Sequence, residues 1–264
     1  MQIKELEAIF DSLRQTAYRP IVEQNKFQPN FSTRSKYNGY PYLRNDKDWP
    51  HCGICGKLMP LIFQLNLSDI PVHRQEGYLV QYFQCVNMDS SASWRCEIGY
   101  PKVGSACLRK IKIMGRPVEI PVDFNLIFEV QSTFINNLLK KLPTEIEILG
   151  WESFDDYPCG ADFNEKVDYL APIIGEETLD YLWENIDLVD KLDHKQCSRE
   201  DKLFGYPCWD QTDNYPRKAD EIMKLLFQIK GFDTSDRSSI DFYSGETGKL
   251  FQSKDLIDVA FVSG

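Results

Sequence analysis

Thiols are the side chains with the clearest capacity for chemistry in this sequence. The chain has 264 residues, with eight cysteines and three histidines. Cys52-Gly53-Ile54-Cys55-Gly56 is a Cys-x2-Cys turn closed by glycine, a spacing in which two thiolates and nearby backbone N–H groups converge on one metal ion. Tetrahedral zinc takes about four ligands, and Cys85 and Cys96 offer a second pair. Cys85 ends a predicted strand, and Cys96 lies beyond a polar loop. The expected site is therefore Cys52, Cys55, Cys85 and Cys96 around one structural Zn2+, with Cys107 or His51 as substitutes for Cys96. An ion held by four thiolates keeps no open coordination position, so it stabilises the fold and does not catalyse. A redox Cys-x2-Cys pair belongs at a helix N-terminus after a strand, whereas here a proline-containing turn precedes the motif and a strand follows. Cys159, Cys197 and Cys208 lie near His194 without a Cys-x2-Cys anchor. They read as ordinary thiols, with a second metal site left open.

The rest of the catalytic repertoire is thin. His51, His73 and His194 read as loop residues, and three histidines are little material for a general base or a hydrolytic metal. The sequence contains no Gly-x-Ser-x-Gly, no phosphate loop, no Gly-x-Gly-x-x-Gly and no His-Glu-x-x-His. Asp155-Asp156 and Glu176-Glu177 sit in an acidic run that a solvated face explains. The chain is thus expected not to be an enzyme, and a cryptic active centre is the third of the readings carried forward.

Charge separates the two halves. Residues 1–140 carry 17 Lys+Arg against 13 Asp+Glu, and residues 141–264 carry 13 against 27. An acidic surface repels nucleic acid and attracts a basic partner. Lys110, Lys112 and Arg116 form only a modest basic stretch, so no nucleic-acid partner is expected. The N-terminus mixes acidic residues into its apolar positions, unlike a signal peptide, and no run reaches the roughly 18 to 20 apolar residues that cross a bilayer. These features place the expected protein in the cytoplasm, away from membranes, with its thiols reduced.

The elements that must position the thiols follow from periodicity. Ile3, Leu6, Phe10, Leu13 and Ala17 share one face of an opening helix, after which periodicity is lost from Tyr18 to Pro29. Asn38-Gly39-Tyr40-Pro41 is a turn signal inside an aromatic loop with Tyr37, Tyr42 and Trp49. Residues 61–67 alternate as a half-buried strand, residues 77–85 form a second, and further strands are predicted near 111–113, 118–121 and 126–130. A short helix follows at 134–142. A second amphipathic helix covers 175–192, with Leu179, Leu182, Trp183, Ile186 and Val189 inward and acidic residues outward. Strands at 222–230, 239–243, 248–252 and 259–262 close the chain.

Two motif pairs recur in the same order. Gly39-Tyr40-Pro41 is echoed by Gly205-Tyr206-Pro207, and Leu61-Ile62-Phe63-Gln64-Leu65 by Leu225-Leu226-Phe227-Gln228-Ile229. This order points to an internal duplication. The expected fold is α+β, mostly antiparallel sheets in two related halves, with an N-terminal helix and a zinc knuckle. The halves are residues 1–145 and the acidic 146–264, packed as one compact unit.

The order of motifs also resembles a known family. Asn38-Gly39-Tyr40-Pro41-Tyr42-Leu43, Trp49-Pro50, the Cys52–Met59 segment, Phe63-Gln64-Leu65, Gly77-Tyr78-Leu79 and Phe83-Gln84-Cys85 resemble the YwqG-like family of bacterial proteins of unknown function. Gly205-Tyr206-Pro207 with Gln211, and Leu226-Phe227-Gln228-Ile229, resemble that family's second half. The Cys-x2-Cys-Gly, Phe-Gln, strand-Cys order is similar to the programmed-cell-death-2 and ribosome-maturation chaperones, which implies a protein- or peptide-binding module. Many family members lack the cysteines, so zinc is optional to the fold. Combined with the acidic second half, the resemblance implies a zinc-stabilised, chaperone-like binder of a basic client, with Tyr40, Tyr42 and Trp49 as anchor residues. An immunity protein that neutralises a basic toxin is the rival reading.

Overall fold

The computed structural model describes residues 3–24, 32–45, 48–72, 75–85, 105–118, 145–164, 170–189, 192, 195–209, 215–219, 221–230 and 247–263. Most or all of the strands predicted at 118–121, 126–130 and 239–243, and of the helix at 134–142, lies outside the described residues. The chain divides into two units, residues 20–151 with 231–245, and residues 1–19 with 152–230 and 246–264. The opening helix thus belongs with the later part of the chain.

In the first unit, strands β2 (Lys36–Tyr37), β3 (Leu61–Asn66), β4 (Tyr78–Gln84) and β5 (Ala106–Lys112) join the start of β6 (Ile146–Asp156). Every pairing is antiparallel, in the order β6-β2-β3-β4-β5. Antiparallel pairing needs no helical crossover, and none occurs in the described connection from β3 to Val72 or from Gln75 to β4. The β3 strand is buried on both faces, Ile62 and Gln64 included, where alternation predicted one wet face. Gln64 tolerates burial because its whole amide is used. Its Nε2 donates to the carbonyls of Ser32 and Arg34 at 3.0 and 2.8 Å, and its Oε1 accepts from the Tyr42 N–H at 2.9 Å.

In the second unit, β7 (Lys202–Leu203), β10 (Lys224–Ile229), β11 (Gly248–Gln252) and β12 (Val259–Ser263) follow the start of β1 (Gln15–Gln24), in the order β1-β7-β10-β11-β12. A small hairpin, β8 (Arg217–Lys218) with β9 (Glu221–Ile222), stands apart. Helix α1 (Ile3–Leu13) buries Leu6, Phe10 and Leu13 against α2 (Gly160–Asn164), α3 (Ala171–Ile174), α4 (Glu176–Glu184) and α5 (Ile186–Val189), in a cluster centred on Phe163, Leu179 and Leu182. Ala17, assigned to the opening helix by its spacing, lies instead in β1. Pro20, which supplies no N–H to a ladder, hides that strand in the sequence. The single helix predicted over 175–192 breaks at Asn185, whose Nδ2 donates to the Tyr181 carbonyl at 2.8 Å. Trp183, expected inward, is 44% exposed.

The same local construction occurs in both units. Lys36 and Lys202 are wholly buried lysines. Lys36 Nζ donates to Glu145 Oε2 at 2.8 Å, and Lys202 Nζ donates to Asp156 Oδ2 at 2.7 Å. Each lysine faces a glutamine across the sheet, Gln64 and Gln228 respectively. Gln228 uses its amide as Gln64 does, donating to Ser198 and Glu200 carbonyls at 2.9 and 3.1 Å and accepting from the Cys208 N–H at 2.7 Å. The register shift between Leu61 and Phe63 recurs between Leu225 and Phe227. After each lysine strand the chain turns through two left-handed residues, Asn38-Gly39 (φ 55 and 70) and Phe204-Gly205 (φ 58 and 73). Glycine is required at the second position for space as well as φ, because a Cβ there would stand 2.8 Å from Glu145 Oε2 or 2.2 Å from Asp156 Oδ2.

Candidate metal centre

The Cys-x2-Cys motif forms the tip of a tight hairpin. Met59 N–H donates to the Pro50 carbonyl at 2.9 Å, Cys52 N–H to Lys57 at 2.8 Å, and Gly56 N–H to Cys52 at 2.8 Å. Gly56 takes φ +71 to close the turn. Ile54 N–H donates to Cys52 Sγ at 3.4 Å, which fixes the sulfur inside the turn. The hairpin's base is fixed by Trp49, whose indole N–H donates to the Met59 carbonyl at 2.8 Å and which packs with Leu43, Met59, Leu61 and Phe83.

Cys85 reaches the same place from the end of β4, where its N–H donates to the Ser105 carbonyl at 2.7 Å. The sulfurs of Cys52, Cys55 and Cys85 all lie within 4.8 Å of one another, and Cys55 Sγ is 3.6 Å from Cys85 Sγ. Thiolates bound at about 2.3 Å in a tetrahedron sit roughly 3.8 Å apart, so the trio has the separation a metal needs. Cys52 and Cys85 are each 2% exposed, and Cys55 is half-buried. Three thiolates on one ion suit a soft or borderline metal and exclude the oxygen-seeking Mg2+ and Ca2+.

Three of the four expected ligands are thereby brought together. Cys96 lies outside the described residues. Neither proposed substitute joins the group. Cys107 stands opposite Phe83 on β5 and packs on the same apolar cluster, where burial pushes its thiol pKa up against the pull of Arg109. His51 is exposed and bridges Leu58 across the hairpin. Arg109, which no sequence signal marked, lies over the Phe83 ring at 4.9 Å and donates from Nε to Gln81 Oε1 at 2.8 Å. Its burial lowers the guanidinium pKa.

The second unit holds the corresponding hairpin by other means. Met223 N–H donates to the Pro216 carbonyl at 2.9 Å, as Met59 does to Pro50. Lys218, in the hairpin, pairs with Asp255 at 2.6 Å and Asp258 at 2.5 Å, both in the turn after β11. Ser253 follows Gln252 there as Cys85 follows Gln84, and its hydroxyl donates to Asp255 at 2.5 Å. Where one unit places thiols between hairpin and strand end, the other places an ion-pair cluster.

Two other expectations meet the structure differently. Tyr40, Tyr42 and Trp49 are 3%, 0% and 2% exposed, so they are core residues and not partner anchors. Their role is internal, as in the Tyr42 hydroxyl, which donates to the Met114 carbonyl at 2.9 Å and accepts from the Met114 N–H at 2.8 Å. Cys159, Cys197 and Cys208, read as ordinary thiols with a second metal site left open, do not come together as a metal-holding group among the described residues, whereas Cys52, Cys55 and Cys85 do. His73 and His194 lie outside the described residues. No helix among the described residues is long and apolar enough to cross a membrane.

Fold and site together define a protein of mostly antiparallel sheet, with few helices and a three-cysteine cluster able to hold a metal ion. The family model described as "Domain of unknown function (DUF1963)" matches residues 35–261, and the chain belongs to that family. No curated protein matches the chain.

Proposed function

We propose that this is a cytoplasmic protein- or peptide-binding module whose first unit is clipped by structural zinc, and that its client is basic. The observation that carries the structural role of the metal is the ion-pair cluster at Lys218. The corresponding hairpin of the second unit meets the corresponding strand end through an exposed ion-pair cluster with no cysteine, which supports reading the thiols as a contact between hairpin and strand end and not as a reaction centre. Zinc bound by Cys52, Cys55, Cys85 and a fourth ligand from Cys96 would supply folding free energy at that point and leave no position open to substrate. The shared lysine, glutamine, bulge and left-handed turn support descent of the two units from one duplicated ancestor. The resemblance of the motifs to YwqG-like proteins and to the programmed-cell-death-2 chaperones supports binding as the activity.

With the aromatic loop buried, the surface offered to a client moves to the acidic helices. On α4, Trp183 is exposed, as are Glu176, Glu177 and Glu184 of the same helix. An exposed indole on a helix with exposed carboxylates suits arginine- or lysine-rich segments, through cation–π contact and charge. The test is fluorescence anisotropy with a labelled arginine-rich peptide of about 20 residues, read at low and high salt. Binding that weakens on Trp183→Ala and on the paired Glu176→Lys/Glu177→Lys variant supports the assignment. Binding unchanged by both variants places the client elsewhere and sinks it.

A further inference from the structure

The three thiols of the first unit differ in their surroundings. Cys52 is buried, its sulfur accepts the Ile54 N–H at 3.4 Å, and its own N–H and carbonyl close the turn with Lys57 and Gly56. Cys85 is buried too, and its N–H bond to the Ser105 carbonyl fixes it at the end of β4. Cys55 sits in the turn itself and keeps part of its surface in solvent, with its sulfur 3.6 Å from that of Cys85. A small solute therefore meets Cys55 before either of the others.

Cys55 and Cys85 stand 30 residues apart in the chain, one on the hairpin and one at the strand end. Lys218 joins the corresponding places in the second unit to Asp255 and Asp258. A covalent bond between Cys55 and Cys85 thus ties what a metal ion there would tie. A bond between Cys52 and Cys55 would stay inside a turn that backbone hydrogen bonds already close. Bringing the Cys55 and Cys85 sulfurs to the roughly 2.05 Å of a disulfide needs an approach of about 1.5 Å, the size of step that rotation about the Cα–Cβ bonds supplies.

We infer that Cys55 and Cys85 are a peroxide-oxidisable pair whose disulfide takes the place of the metal at this clip, with Cys55 attacking and Cys85 resolving. The inference rests on the reading of the three thiols as zinc ligands. The Cys55 thiolate attacks one oxygen of hydrogen peroxide, the O–O bond breaks, and hydroxide leaves. Cys55 is then a sulfenic acid. The Cys85 thiolate attacks that sulfur, the S–S bond forms as the S–O bond breaks, and a second hydroxide leaves. Both hydroxides take protons from solvent and become water. Two electrons pass from the two thiolates to the peroxide, and zinc, short of two ligands, departs as Zn2+.

Exposure assigns the roles. Burial of Cys52 and Cys85 directs the oxidant to Cys55, whereas Cys85 needs no access to solvent because its target is the neighbouring sulfur. The two ties exclude each other, since a sulfur in a disulfide no longer carries the thiolate charge that holds the ion. Cys52 and the expected Cys96 are two ligands where zinc takes four, too few to retain it. Reduction returns the thiolates, so zinc and disulfide alternate at one place in the fold.

The test treats the reduced, zinc-loaded full-length chain with about one equivalent of hydrogen peroxide at pH 7. A chromogenic chelator reads zinc release, remaining thiols are blocked, and peptides are mapped without reduction. The expected product links the Cys55 and Cys85 peptides, with about one zinc released per link, and dithiothreitol with added zinc reverses both. Cys85→Ser leaves a Cys55 sulfenic acid that dimedone captures, and the wild-type map is decisive even if this variant folds poorly. No link, a Cys52–Cys55 link, a link of either sulfur to Cys96 or Cys107, or zinc retained while the Cys55–Cys85 link forms overturns the inference. A reduced chain that takes up no zinc contradicts the proposed function instead. The same map then still decides the pair, which stands if Cys55 and Cys85 link and falls if they do not.

Discussion

Lys202→Met removes the cation of a fully buried pair and leaves its carboxylate in place. Lys202 and Asp156 are both 0% exposed, with Nζ and Oδ2 2.7 Å apart. Breaking such a pair by deleting one partner costs about 3 to 5 kcal/mol, because the remaining charge is left without its counter-ion. Asp156 keeps two backbone donors, the Ser198 N–H at 2.9 Å and the Tyr206 N–H at 2.8 Å, which places the cost at the lower end, about 3 kcal/mol. In a chain of this size that corresponds to a fall of about 6 to 10 °C in Tm. Thermal unfolding followed by circular dichroism reads it directly. Adding Asp156→Asn removes the stranded charge and keeps an oxygen acceptor for one of the two N–H groups, a smaller loss than an unpaired buried carboxylate, so the double variant should melt above Lys202→Met alone. A fall of under about 2 °C for the single variant, or a double variant less stable than the single, would refute the reasoning.

The turn glycines should rank by space and not by φ alone. Gly205→Ala places a Cβ 2.2 Å from Asp156 Oδ2 and Gly39→Ala places one 2.8 Å from Glu145 Oε2, whereas Gly115, at φ +69, has nothing within 4 Å. Urea denaturation should show Gly115→Ala costing about 1 kcal/mol, with both others above it and Gly205→Ala the worst. Iodoacetamide labelling of Cys159 should rise with pH through a midpoint near 7, because the bond from Cys197 lowers its pKa to about 7. A midpoint near 9 removes that bond's influence. Lys218→Met should change melting little, since its partners Asp255 and Asp258 are about half exposed and screened by solvent, while Cys52→Ser should raise hydrogen exchange across residues 50–59. Equal exchange in wild type and Cys52→Ser would deny the thiols a structural role.

The thiols at 52, 55 and 85 were legible because Cys-x2-Cys-Gly before one strand and a cysteine after the next can meet only at one sheet edge. The recurring Phe-Gln pairs were also visible, but not their purpose. That Gln64 and Gln228 each satisfy a loop depends on carbonyls of Ser32, Arg34, Ser198 and Glu200, which carry no side-chain signal. Glu145 and Asp156 were hidden for a related reason, since two buried counter-ions look like any other carboxylates in an acidic stretch. The β6 strand that starts just after Glu145 and ends at Asp156 was missed as well, its charged and glycine positions masking an 11-residue strand. Aromatic density misled in the other direction. Tyr40, Tyr42 and Trp49 looked like surface anchors, yet the Tyr42 hydroxyl and the Trp49 indole find backbone partners and all three rings are buried.

Metal analysis by mass spectrometry on protein purified without a histidine tag, alongside Cys52→Ser and Cys85→Ser, bears most directly on the clipped-module reading. About one zinc per chain is expected, lost in both variants together with thermal stability. Reduced wild-type protein that carries no metal, or variants that keep both metal and melting temperature, would contradict a structural zinc at Cys52, Cys55 and Cys85.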